Sequence, residues 1–286
     1  MERCPIDDEM IAMFPAERLK IAVNIAEEAG RMIIAARQDQ NFTHRYKDQG
    51  RELVTDADVA VDTLISERLQ DHFGNESRLS EELAPDRDDL DQEGPLWVID
   101  PIDGTVNFAH GLAHVAVSIA WLLDGQVRIG VVHAPFLGET FTAIASQGAW
   151  CNDTPIQASS SDDLERCLVA TGFPYRRDSR PPLMRRFAAV LSHCQDIRRN
   201  GSAALDLCDV ACGRLDAYYE SVSPWDFAAG WLIAREAGAR TGHLYPCPTG
   251  IPEDLFGKNL LVTSPAIYAE LGDLLRLADD GEASPG

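Results

Sequence analysis

The chain has 286 residues, enough to bury a substantial core as one large domain or two closely joined lobes. Its hydrophobic share of 45% and charged share of 25% are those of an ordinary globular protein. Lys plus Arg number 25 against 46 Asp plus Glu, a formal net charge of −21, and such a field repels nucleic acid and anionic membrane and excludes both as general partners. No apolar run reaches the length of a membrane span, and the start, MERCPIDDEM, is acidic without an apolar signal core, so a cytoplasmic location is expected. The seven cysteines are scattered and odd in number; they read as core thiols, including Cys208 and Cys212, four apart on one helix face.

In chain order, residues 9–38 carry apolar positions at helical spacing, with Gly30 the weak point, and predict one long helix or two stacked ones. Residues 54–73 predict a second helix capped by Thr55 or Asp56. The charge run RDDLDQEG reads as a solvated loop. LWVID is a buried strand. Residues 114–150 form several strands, with Asp124-Gly125 as a hairpin turn and Gly148 near another, so these strands are antiparallel. The polar stretch NDTPIQASSSDD marks a lobe boundary, giving lobes at 1–155 and 156–286. Beyond it come a strand in CLVATGF and a helix in PPLMRRFAAVLSHC. Then follow a helix in SAALDLCDVACG ended by Gly213, a strand in RLDAYYE and a helix in DFAAGWLIAREAG ended by Gly238. A strand in GKNLLVTS, a final helix in PAIYAELGDLLRLADD and a disordered tail close the chain. This mixed order of helices and antiparallel strands is that of a layered α+β fold.

The chemistry concentrates in LWVIDPIDGTVNF. An apolar strand runs into Asp100; Pro101 ends the ladder, and Asp103 follows three positions on. Two carboxylates this close need a shared proton or a divalent cation. Oxygen-only donors, with the Ile102 carbonyl between them, favour Mg²⁺ or Mn²⁺ over Zn²⁺. The N–H groups at Gly104-Thr105 suit an anion. Glu81-Glu82 in RLSEEL and Asp226 in SPWDFAAGW are further acids in similar settings. Asp226 also suits a helix N-cap, and the two roles are compatible. His110 and His114 are four apart but lack a third ligand, so they read as packing residues rather than zinc ligands. RRNGS reads equally as a basic loop before a helix or an anion-binding spot. Tyr218, Tyr219 and Trp225 read as core.

Taken in order, ELVTDAD, SEE, WVIDPIDGTVNF and WDFAAG resemble the inositol monophosphatase family of Mg²⁺-dependent, lithium-sensitive phosphatases. GFPY and NGSAALDLCDVACGRLDAYYE add a bacterial-type character, and the resemblance spans Met10 to Ser264. It implies an α/β/α/β/α layered sugar-phosphatase-type fold with mixed, largely antiparallel sheets, and a homodimer. It implies that Glu81, Asp100 and the Ile102 carbonyl hold one Mg²⁺ and that Asp100, Asp103 and Asp226 hold another. Two or three ions are expected per site, with Mn²⁺ as a substitute. Gly104 and Thr105 would hold the phosphate by their N–H groups. Thr105, with Asp58, would orient the attacking water beside Glu81, and Lys47 would lie on the phosphate side. Gly201, Ser202 and Ala203 would line the sugar pocket, and Glu220 would accept hydrogen bonds from substrate hydroxyls.

One departure stands out: the family pattern places seven steps between that Glu and the metal-binding Asp, and here Glu220 to Asp226 is six, shortening the loop beside the substrate. The implied activity is hydrolysis of a small polyol phosphate, with myo-inositol 1-phosphate first. Histidinol phosphate, fructose 1,6-bisphosphate and 3′-phosphoadenosine 5′-phosphate are alternatives. A regulatory protein on the same fold is the rival class, and its mark would be a missing ligand. A dication pair would resolve how so acidic a chain attracts a phosphate.

Overall fold

The computed structural model describes residues 15–38, 44–47, 52–74, 76–83, 94–173 and 180–281. In chain order the elements are α1 (Pro15–Gln38), β1 (His44–Lys47), β2 (Glu52–Thr55), α2 (Asp56–Phe73), β3 (Ser77–Ser80), β4 (Leu96–Asp103) and α3 (Thr105–Ala109). Next come β5 (Ala116–Leu123), β6 (Gln126–Ala134), β7 (Glu139–Ile144), β8 (Ala149–Cys151), β9 (Thr154–Pro155) and β10 (Leu168–Thr171). The chain finishes with α4 (Arg180–His193), β11 (Asp196–Arg198), α5 (Ala203–Ala211), β12 (Ala217–Glu220), α6 (Pro224–Glu236), β13 (Arg240–His243), β14 (Leu260–Thr263) and α7 (Tyr268–Asp280). Among the described residues no helix is long and apolar enough to cross a membrane.

A seven-stranded sheet runs β3-β4-β5-β6-β7-β8-β9, with β3 parallel to β4 and every later pair antiparallel. A five-stranded sheet runs β11-β10-β12-β14-β13; its first two pairings are parallel and its last two antiparallel. All eight residues of β4 are buried, which is why LWVIDPID is apolar without alternation until its acids: both faces are covered. The hairpin between β5 and β6 turns on Asp124 (φ 54) and Gly125 (φ 69), both left-handed as a primed turn requires.

Three apolar clusters stack the layers. α1 and α2 (Ile25, Ile33, Val61, Ile65) cover one face of the large sheet at Ile99, Ile119 and Val131. α5 and α6 (Leu207, Phe227, Leu232) fill the space between the other face (Val98, Val132) and the small sheet (Tyr218, Val262). α4 and α7 (Val190, Leu271, Leu275) close the far side against Val169 and Leu261. The result is the α/β/α/β/α sandwich the resemblance implies. Where α1 meets the sheet, Glu76 accepts both guanidinium N–H donors of Arg18 at 2.9 and 2.8 Å and the indole N–H of Trp97 at 2.8 Å and Trp121 at 3.2 Å.

Several expectations shift in detail. From Pro15 on, α1 is one helix, and Gly30 does not break it; a Cβ there would stand 2.5 Å from the His133 side chain on β6, so the missing side chain permits close approach to the sheet. Residues 1–14, most of the acidic run and the tail beyond Gly281 lie outside the described residues. The helix expected from Asp226 begins two residues earlier at Pro224, because Ser223 caps it and a proline, with its φ already helical and no N–H to satisfy, is at home in the first turn. Gly213 and Gly238 end their helices with φ of 72 and 91.

Candidate active site

The site forms where β4, α2, α3, α5 and α6 converge. On β4 the register slips between Asp100 and Asp103, the consequence of a proline that cannot pair. Carboxylate oxygens of Asp100, Asp103 and Asp226 all lie within 4.8 Å of one another. Asp100 is 1% exposed and Asp103 7%. Burial and then repulsion from Glu81, Asp103 and Asp226 push Asp100 well above the ordinary carboxylate range. Burial pushes Asp103 up to about 6, even though it accepts two hydrogen bonds. Those bonds both reach its Oδ2: the Ser202 hydroxyl donates at 2.5 Å and the Ala204 N–H at 2.7 Å, so Asp103 receives the start of α5.

Asp226 is the third residue of α6 rather than its N-cap; Ser223 caps the helix, and the Ser223 N–H donates to Asp226 Oδ2 at 2.6 Å. The Asp100 side chain accepts from the Ile102 N–H at 3.0 Å, and on the following peptide the Ile102 carbonyl accepts from the Thr105 hydroxyl. The Thr105 hydroxyl is 3.1 Å from both Asp58 Oδ1 and the Ile102 oxygen. Asp58, near the start of α2, also accepts the Thr55 N–H at 2.8 Å and the Thr55 hydroxyl. Burial, against these bonds, leaves Asp58 at about 6. Gly104, at φ 94, starts α3; a Cβ would stand 2.9 Å from the His114 carbonyl, so only glycine fits this corner.

A cavity of about 400 Å³ opens beside the acids, walled by Glu81, Asp103, Gly201, Ser202, Ala203, Glu220 and Asp226 among others. The structure thus brings together every acid of the expected set; of Lys47 only the strand position in β1 is described, and its side chain lies outside the described residues. The Ser202 hydroxyl is turned to Asp103 and also caps α5, with the Leu205 N–H 3.3 Å away. Glu220 ends β12, accepts the Tyr218 hydroxyl at 2.7 Å, and is pushed by burial up to about 8. Gly172 is the space for it: a methyl there would overlap the Glu220 carboxylate.

The two histidines do not meet at one centre. His114 Nε2 is 3.6 Å from Asp206, and burial, which lowers it, is outweighed by that carboxylate, so its pKa is raised; His110 is exposed. A larger groove of about 930 Å³ flanks the Asp124-Gly125 turn and includes none of these acids; its Asp254 is taken up by the Val127 N–H, the Trp231 indole and Arg235. Asp206, which accepts an amide N–H of Asn200 at 2.7 Å on the cavity wall, and Asn107, which donates to the His114 and Asn200 carbonyls at 2.7 and 2.8 Å, carry no motif of their own in the sequence.

The donor set fits a hard divalent cation. Three convergent carboxylates, two of them buried, hold charge that burial disfavours, and an oxygen-coordinated cation is a group that relieves it.

Known proteins carry the same arrangement of sequence. The model of the family described as "Inositol monophosphatase family" matches residues 15–278. An inositol-1-monophosphatase of Synechocystis is 41% identical over 236 residues, 80% of this chain and 78% of that protein. A protein named Nus factor SuhB from Pasteurella multocida is 36% identical over 263 residues, 88% of this chain and 93% of that one. Among solved structures, the extragenic suppressor protein suhB of Bartonella henselae superposes with a TM-score of 0.81 at 30% identity, over 91% of this chain and 99% of that chain. With the family model matched across nearly all of α1 to α7, this chain belongs to the inositol monophosphatase family.

Proposed function

We propose that the chain is a Mg²⁺-dependent phosphomonoesterase acting on a small polyol phosphate, with myo-inositol 1-phosphate as leading substrate. The observation that carries this is the Asp100–Asp103–Asp226 triad beside a polar cavity of sugar size. Two or three Mg²⁺ ions, held by Glu81, Asp100, the Ile102 carbonyl, Asp103 and Asp226, would neutralise phosphate charge and supply Lewis acidity toward water. The remaining steps belong to the chain. Thr105 donates its proton to Asp58 or to the Ile102 carbonyl, which leaves its oxygen lone pairs to accept a hydrogen from water and aim it in line. The first-turn N–H groups of α3, which have no carbonyl partner within the helix, face the phosphate oxygens. The leaving alkoxide takes its proton from a water beside Asp226. Catalysis is then positioning and charge stabilisation, without a covalent phospho-enzyme. On the alcohol side, Glu220 keeps its proton at neutral pH and therefore meets a substrate hydroxyl as donor as well as acceptor. A homodimer belongs to the same proposal.

The name Nus factor SuhB, borne by relatives, favours a second reading, a regulatory protein on the same fold. Phosphate release from a panel of polyol, histidinol, sugar and nucleotide phosphates, with and without Mg²⁺ and Li⁺, separates the two. The phosphatase reading expects Mg²⁺-dependent, Li⁺-inhibited release, reduced about a hundredfold or more by Asp100→Asn. Turnover of Asp100→Asn near the parent's at saturating Mg²⁺ would overturn the site; no release from any ester would favour the second reading.

A further inference from the structure

α2 carries two buried acids one helical turn apart, Asp58 and Asp62, 1% and 0% exposed. Asp58 reaches Thr105. Asp62 reaches a different piece of the site: the turn that follows β3. Its Oδ2 accepts the Ser80 hydroxyl, the Glu82 N–H at 3.2 Å and the Leu83 N–H at 3.1 Å. The Leu83 N–H is also 3.3 Å from the Ser80 oxygen, and the Glu81 N–H donates to the Ile99 carbonyl at 3.3 Å, one residue before Asp100. The backbone of Glu81 is thus held on one side by β4 and on the other by Asp62.

Glu81 needs such a hold. It is near enough to Asp100 to raise it and shares the cavity wall, yet it is outside the tight triad of Asp100, Asp103 and Asp226. Those three are fixed by a strand and a helix start; Glu81 sits on a three-residue turn, and a turn is rigid only as far as its hydrogen bonds make it so.

We propose that Asp62 is a positioning residue for cation loading: by clamping the 80–83 turn it sets the approach of the Glu81 carboxylate to Asp100, without touching cation or substrate. This rests on the metal-centre reading above. One helix edge then sets two parts of the chemistry, the threonine through Asp58 and the glutamate through Asp62, and a side-chain oxygen at the second position is required because a single acceptor atom must take three donors.

The test is Mn²⁺ affinity of the full chain by electron paramagnetic resonance, a readout independent of turnover. Asp62→Ala should raise the Mn²⁺ Kd about tenfold or more, the effect of removing a group that orients a ligand. Asp62→Asn, whose amide oxygen accepts the same two backbone N–H groups, should stay within about threefold of the parent. Leu69→Ala, a cavity in the same helix remote from the turn, should lower Tm and leave the Kd within about threefold. Parental affinity in Asp62→Ala, or an equal loss in Leu69→Ala, overturns the proposal. If Asp62→Ala does not fold, Ser80→Ala decides: a Kd raised about tenfold supports the clamp, and one within about threefold of the parent overturns it. A parent chain that binds no Mn²⁺ overturns the metal centre itself, and the clamp with it.

Discussion

Glu220 gives the sharpest test of the cavity. Its carboxyl sits behind Gly172 and under Tyr218, and burial with the nearby Asp226 and Asp206 charges lifts it from 4.5 to about 8. The sign follows from which form the fold prefers. A raised acid holds its proton in the fold, so the stability it contributes is whole below pH 4.5 and is lost as pH rises through about 8. Each step of one in pKa is worth about 1.4 kcal/mol, so the ceiling at high pH is about 5 kcal/mol. The residue is only part-buried, and solvent screening brings the expected loss to about 2–3 kcal/mol. Glu220→Gln keeps the shape of the protonated acid and removes the titration. In urea unfolding with EDTA present, the variant should match the parent near pH 5 and exceed it by about 2–3 kcal/mol at pH 9, several degrees in Tm for a chain of this size. Asp58 and Asp103, both at about 6, tilt parent and variant alike, so the difference between the two curves isolates Glu220. A difference that stays constant from pH 5 to pH 9 would refute the reasoning.

Gly172→Ala pushes a methyl into the Glu220 carboxylate, so KM for a polyol phosphate should rise about tenfold while kcat changes less, read by steady-state phosphate release. Thr105→Ala should lower kcat about a hundredfold and Thr105→Ser should retain most of it, because only the hydroxyl meets Asp58. Glu76→Ala strands the Arg18 guanidinium and two indole N–H groups and should cost about 3–4 kcal/mol, lowering Tm by about 10 °C in a thermal melt. Saturating Mg²⁺ at a hundred times its Kd should stabilise the EDTA-stripped parent by about 2.7 kcal/mol and leave Asp100→Asn nearly unchanged, measured by calorimetry.

The corner at Asp100 is legible in the sequence because three unusual things coincide there: an unbroken apolar strand, a proline where pairing must stop, and acids flanking it. Gly104 is legible for a similar reason, a left-handed residue at a helix start that no side chain tolerates. Asp62 is not, since an aspartate inside a helix full of polar residues looks solvated; its partners are 18 to 21 residues away, and only the packing of α2 against β3 brings them together. Asp206 is hidden likewise among the residues of α5. The strands β3, β11 and β13 are three or four residues long and hold Arg, Ser or His, so periodicity has too few positions to register. Asp226 reads as a cap and proves to be the third residue of its helix, because Asp and Ser are both good caps and the Pro224 between them can equally approach a helix or open one.

Asp103 has two faces. Its carboxylate belongs to the acid cluster with Asp100 and Asp226, and its Oδ2 is also where α5 begins, through Ser202 and Ala204. The segment proposed to meet the alcohol is therefore bolted to the acids proposed to serve the phosphate. New substrate preference in this scaffold has to come from side chains that project off the bolted frame, such as Ala203, Phe173 or Ser221, because exchanging the 201–204 backbone as a cassette would detach the helix and disturb the acid cluster in the same stroke.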